Sequence, residues 1–177
     1  KLMGAALASS GAVALFHVEG VTPEARLRND VLPTGVQEIE VRSLGPAIEA
    51  LNHPVETIDL VVIGCPHASL DEIRAVAGLV RGRRLASALW VTTSRGVREQ
   101  AQAEGLVDEI AHAGGRVVAD GCFVVAPMRE LPYRTLATNS AKMASYALSH
   151  AGLQVRFGSL QECLEAAIRG KWEAGVH

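Results

Sequence analysis

The stretch "TIDLVVIG", residues 57 to 64, constrains the fold more than any other. It is almost continuously apolar, so it cannot alternate between a wet and a dry face. A strand of that kind is buried on both sides, which requires a parallel sheet with helices packed on both faces. The apolar run breaks at "CPHAS" and restarts with a different period: "ASLDEIRAVAGLV" puts Leu70, Ile73, Val76, Ala77 and Val80 on one helical face, with Ser69 as a cap. Strand, short break and one-faced helix make a βα unit.

The unit recurs. "ASALWVTTS" is the next strand, followed by a helix from Arg95 to Ala113 that "AGG" ends. "RVVADG" and "TLATNS" repeat the strand pattern, "SAKMASYALSHAG" has helical spacing with a Gly stop, and "QVRFGS" with "LQECLEAAIRGK" closes the series. The expected fold is α/β, a mostly parallel sheet flanked by helices. Upstream, "AVALFHV" (12–18) and "EIEVRS" read as strands, and "VTPEARL" and "LGPAIEALN" as helices. The His-Pro pair in "ALNHPVET" divides the chain into an N-terminal α/β segment, 1–52, and an α/β domain, 53–177, that carries all three cysteines. Because the chain enters an apolar segment almost at once after Lys1, it reads as a fragment of something longer.

Composition narrows the function classes. Apolar residues make up 49% of the chain but aromatics only 4%, so the core is built from Ala, Val, Leu and Ile between layers. A net charge of −2, with Arg and Lys scattered, gives no footprint for nucleic acid. No apolar run reaches bilayer length, and "KLMGAALASSGAVALF" lacks the parts of a secretory signal, so the expectation is a cytoplasmic chain with no membrane partner. Three widely spaced cysteines, an odd number, argue against disulfides and leave core thiols or metal ligands.

In open parallel sheets ligands bind beyond the carboxyl ends of the strands. The residues at those ends are Cys65 with His67; Thr92, Thr93 and Ser94; Asp120 with Cys122; Thr138, Asn139, Ser140 and Lys142; and Ser159 with Cys163 a turn beyond. A single free cysteine is more often a packed core residue than a ligand. Three at equivalent positions are expected to converge on one rim, where soft thiolates suit an iron–sulfur cluster, mononuclear iron or zinc. No CxxC pair sharpens this, and "LQECLEAAI" also places Cys163 on an apolar helical face. His67 is either a fourth, zinc-type ligand or a polar group satisfied at a helix start. Lys142, in a first helical turn, opposes the helix dipole and would suit a nearby carboxylate or phosphate. "FHVEG" places His17 with Glu19 at a strand end, with Thr22 and Glu24 opening the next helix.

The stretches "GCPHASLDEI", "ADGCFVVAP", "LATNSAKMASY" and "VRFGSLQECLEAA", preceded by "GAVALFHVEGVTPEA", resemble in this order the C-terminal part of the catalytic domain of the aconitase X family. The resemblance covers nearly the whole chain. It implies an aconitase-like three-layer α/β/α fold and a hydro-lyase such as a cis-3-hydroxy-L-proline dehydratase, or alternatively the large subunit of a phosphomevalonate dehydratase. It also implies an iron–sulfur cluster or iron held by Cys65, Cys122 and Cys163, with Lys142, Ser140, Asn139, His17 and Glu24 around a small hydroxy acid substrate. Where the family reads Asp-Thr-Cys, this chain has Asp120, Gly121 and Cys122, which removes a hydroxyl next to the metal. The family's catalytic domain extends well upstream, and a swivel domain, fused or as a small subunit, supplies a serine as the expected base. The chain resembles roughly half of one subunit, inactive without those parts. The rival readings are a zinc-binding module and a non-catalytic α/β module with its thiols packed in the core.

Overall fold

The computed structural model describes residues 1–27 and 35–173. Five strands, β1 (Leu60–Ala68), β2 (Ala88–Thr93), β3 (Arg116–Ala119), β4 (Thr135–Thr138) and β5 (Gln154–Phe157), form one sheet in the order β3-β2-β1-β4-β5. Every pairing is parallel. The chain winds outward from β1 to β3, then crosses back to lay β4 on the other side of β1. That reversal places a topological switch point between β1 and β4, where the loops leaving the two strands part and open a crevice.

Helices cover both faces. On one side lie α4 (Leu70–Val80), α5 (Arg95–Ala103), α6 (Leu106–Ala113) and α8 (Leu160–Arg169), packed over Val61, Ile63, Leu89 and Val91. On the other, α7 (Ala141–Tyr146) runs into a wide turn over Ala147–Ala151 and packs with Phe123 and Met128 against Leu60, Val62, Leu136 and Val155. Alternation along β1 feeds both cores, which is why its sequence is apolar without a break. Ile73, Val76, Ala77 and Val80 of α4 are all buried, Ile73 and the two valines contributing about 1.5–3 kcal/mol each. Ser69 caps that helix in a reciprocal box with Glu72, as the sequence implied.

Three expectations are corrected. The helix expected from Arg95 to Ala113 is two helices, because Gly105 takes φ +74 and restarts the chain in a new direction. The strands expected at 12–18 and in "EIEVRS" do not form: Leu15, Ile39 and Val41 are 76%, 77% and 69% exposed. Their composition suits a strand, but a strand needs a neighbour's N–H and C=O groups, and no sheet partner stands beside them among the described residues. Instead the N-terminal segment carries α1 (Leu2–Gly11), rich in Ala and Leu, which packs on α7. Two short helices follow it, α2 (Pro23–Leu27) and α3 (Gly45–Ala50). His53, of the His-Pro pair, closes the sheet's edge: its Nδ1 accepts from Val155 N at 3.0 Å while Asn52 Oδ1 accepts from Phe157 N at 3.0 Å. His177 lies outside the described residues.

Candidate active site

β1 does not stop at Gly64. It bulges, with a register shift against β2 between Ile63 and Ala68, and carries Cys65, Pro66 and His67 within the irregular stretch. Two hydroxyls of β2 hold the bulge in place. Thr92 Oγ1 donates to Gly64 O and Thr93 Oγ1 donates to Ala68 O, both at 2.6 Å and both buried. Gly64 itself has φ +96, and a Cβ there would lie 2.1 Å from the Thr92 carbonyl oxygen, so only glycine lets the two strands approach. The Cys65–Pro66 peptide is cis.

The second thiol arrives from β3. Asp120 takes a left-handed φ of 53, which turns the chain back toward the switch point. Its N–H donates to Thr93 O at 2.9 Å, and its carboxylate accepts from Arg95 N at 2.9 Å and Arg95 Nε at 3.0 Å, tying the turn to the start of α5. Cys122 follows, exposed, at the start of a single 3-10 turn, Phe123–Val125. A further bond joins the two thiol-bearing turns: His67 Nε2 lies 3.1 Å from Gly121 O, and since a carbonyl can only accept, Nε2 carries the proton.

Gly64, Cys65, Pro66, His67, Thr92, Gly121, Cys122, Phe123, Lys142 and Met143 line one open cleft at the switch point. Burial pushes the Cys65 thiol above its ordinary range. A hydrogen bond with Ser140 and the charge of Lys142 pull it down, and Cys122 pushes it up again. Cys122 and Lys142 line the same cleft as that sulfur. Ser140 is buried and also accepts from Met143 N at 3.2 Å, so the helix-capping role and the contact with the thiol belong to the same hydroxyl.

Cys163 is not brought to this cleft. It is 0% exposed and belongs to the core between α4, α8 and the sheet, whereas Cys65 packs against the core on the opposite face. Burial pushes its thiol far above the ordinary value, the charge of Glu162 adds to that, and a backbone hydrogen bond from Gly158 offsets it in part. A thiol held neutral in an apolar interior is a packing residue. Its burial agrees with the apolar face that "LQECLEAAI" presents. Asn139 is half-buried at the turn before α7 and does not line the cleft. His17 and Glu24 are exposed in the N-terminal segment, also outside the cleft lining. No three His, Cys, Asp or Glu side chains cluster closely enough to enclose a metal ion among the described residues. Phe123 and Met143 were not singled out in the sequence, and nothing in the local pattern marks them beyond their nearness to Cys122 and Lys142.

Residues 58–169 match the family model described as aconitase X third domain, and residues 1–47 match the aconitase X second domain. The chain belongs to the aconitase X family. It is 40% identical over 167 residues to the phosphomevalonate dehydratase large subunit of Methanocaldococcus jannaschii, a match covering 93% of this chain and 41% of that protein. It is 41% identical over 185 residues to the cis-3-hydroxy-L-proline dehydratase of Pseudomonas aeruginosa, covering 99% of this chain and 32% of that protein. The crystal structure of Thermococcus kodakaraensis aconitase X in its holo-form superposes with a TM-score of 0.84 at 38% identity, covering 94% of this chain and 43% of that one. The α/β/α architecture expected from the sequence is thus the aconitase X one, and the chain spans about a third to two-fifths of the length of these relatives. No helix among the described residues is long and apolar enough to cross a membrane.

Proposed function

We propose that this chain supplies the thiol-bearing part of a hydro-lyase active site that eliminates water from a small hydroxy acid. The observation that carries the proposal is the convergence of Cys65 and Cys122, from the ends of separate strands, on one cleft beside Lys142. Two adjacent, partly accessible thiols beside a cation fit iron or an iron–sulfur cluster as two of its ligands. When bound, that group would act as a Lewis acid on the departing hydroxyl. Cys163 is left out of the ligand set because it sits in the opposite core. The remaining ligands and the catalytic base are assigned to the rest of the large subunit and to a swivel domain or small subunit, in keeping with the relatives' names.

The chain's own residues have separate tasks in this reading. Lys142 offers a positive charge to the substrate's carboxylate or to the thiolates themselves, lowering the cost of gathering negative charge in one place. Ser140, bonded to the Cys65 thiol, fixes the direction in which that sulfur points. Phe123 and Met143 give the cleft an apolar wall that excludes water from the eliminating carbon centres. Three free cysteines fit a reducing compartment, hence the cytoplasm.

The test is anaerobic iron and sulfide reconstitution of the whole enzyme, both subunits or the fused chain, followed by assay with cis-3-hydroxy-L-proline and with phosphomevalonate. A visible absorption band and water elimination from one of the two are the expected results. One zinc per chain without visible absorption would replace the reading by a zinc module, and no metal at all by a non-catalytic module.

A further inference from the structure

We infer that His67 is a positioning residue that sets the distance between the two thiols, an inference that rests on the metal-site reading of Cys65 and Cys122. Both thiol-bearing turns are anchored to β2 and α5: the Cys65 turn through the Thr92 and Thr93 hydroxyls, the Cys122 turn through Asp120. The two sets of anchors meet at Thr93, whose hydroxyl donates to Ala68 O and whose carbonyl accepts from Asp120 N, beyond Cys65 on one side and before Cys122 on the other. The bond from His67 Nε2 to Gly121 O, 3.1 Å long, joins the turns a second time, next to the sulfur-bearing residues themselves. It starts two residues after Cys65 and ends one residue before Cys122, so it closes a short ring through both sulfur-bearing residues.

The location makes the bond a strut rather than part of the core. His67 is exposed, and its loss creates no cavity and leaves no buried polar atom. Gly121 adds to the need for it, because a glycine has more backbone freedom to lose than any other residue. Holding the Cys122 turn in place raises the effective concentration of its thiol around any atom already bound by Cys65. The imidazole acts through the backbone of Gly121, to which its Nε2 is bonded.

The inference is tested on the whole metal-free enzyme with phenylarsine oxide, whose arsenic captures two neighbouring thiols and loses its oxygen as water. Retention is measured by competition with 2,3-dimercaptopropanol. The wild type should hold the arsenical in a manner that Cys65→Ser and Cys122→Ser each abolish. His67→Ala should weaken retention about tenfold, at an unchanged melting temperature, and His67→Gln, whose amide nitrogen reaches the same carbonyl, should restore it to about wild-type level. Retention in His67→Ala equal to wild type, or His67→Gln as weak as His67→Ala, would overturn the positioning role while leaving the thiol pair standing. Failure of the wild type to retain the arsenical through Cys65 and Cys122 would overturn the metal-site reading, and the inference with it.

Discussion

Replacing Gly64 by Ala tests the link between the sheet and the cleft. Gly64 has φ +96, where an L-residue pays about 1–2 kcal/mol in backbone energy alone. The added Cβ would sit 2.1 Å from Thr92 O, 3.0 Å from Ala68 N and 3.1 Å from Thr92 C. All three are backbone atoms, so relief requires β1 and β2 to separate at the bulge. Separation also breaks the buried bond from Thr92 Oγ1 to Gly64 O, worth about 1–3 kcal/mol if the carbonyl is left unsatisfied. The expected total is about 2–5 kcal/mol, a large part of the ~5–15 kcal/mol that holds a domain together. Urea unfolding followed by far-UV circular dichroism and by fluorescence of Trp90, which lies on β2 edge-on to Tyr133, reads the loss directly. Gly78, in α4 with nothing near its Cβ position, is the control: Gly78→Ala should stabilise by up to about 1 kcal/mol. A cost below about 1 kcal/mol for Gly64→Ala would refute the close-approach argument.

Other perturbations separate packing from chemistry. Cys163→Ala should cost about 1–2 kcal/mol in urea unfolding, for the buried sulfur it removes. The Cys163 thiol is raised in the folded state, so its stabilisation is complete below the unfolded value near ~8.5 and falls as pH rises beyond it. The gap between wild type and Cys163→Ala should therefore narrow by ~1.4 kcal/mol per pH unit over that alkaline range, and a constant gap would contradict the buried neutral thiol. Lys142→Met should raise KM or lower kcat with the metal content unchanged, and unaltered kinetics would remove Lys142 from the site.

The run from residue 57 onward was legible because buried parallel strands carry their signature in every residue, and because Ser69 and Ser159 mark helix starts by chemistry that is local. What failed was whatever depends on a partner. Ile39 and Val41 look like strand residues, but only a neighbouring strand could make them one. Gly105 was readable as a helix break, yet the strong period on both sides of it hid the change of direction. Of the cysteines, Cys65 and Cys122 follow β1 and β3 into the same switch point, which topology could predict. Cys163 lies inside α8, one turn past the Ser159 cap and among the residues that helix buries against the sheet, so it packs in the core and not at the strand end. The His67 bond to Gly121 O was invisible for a related reason: its two ends meet only after β2 has been placed between β1 and β3.

The proposed metal thiols are Cys65 and Cys122, with Cys163 outside the ligand set. Anaerobic iron titration of the whole enzyme, monitored by sulfur-to-iron charge-transfer absorption, should show the band lost in Cys65→Ser and in Cys122→Ser and kept at full intensity in Cys163→Ser. A band that survives either of the first two substitutions, or disappears with the third in a folded protein, would contradict that assignment.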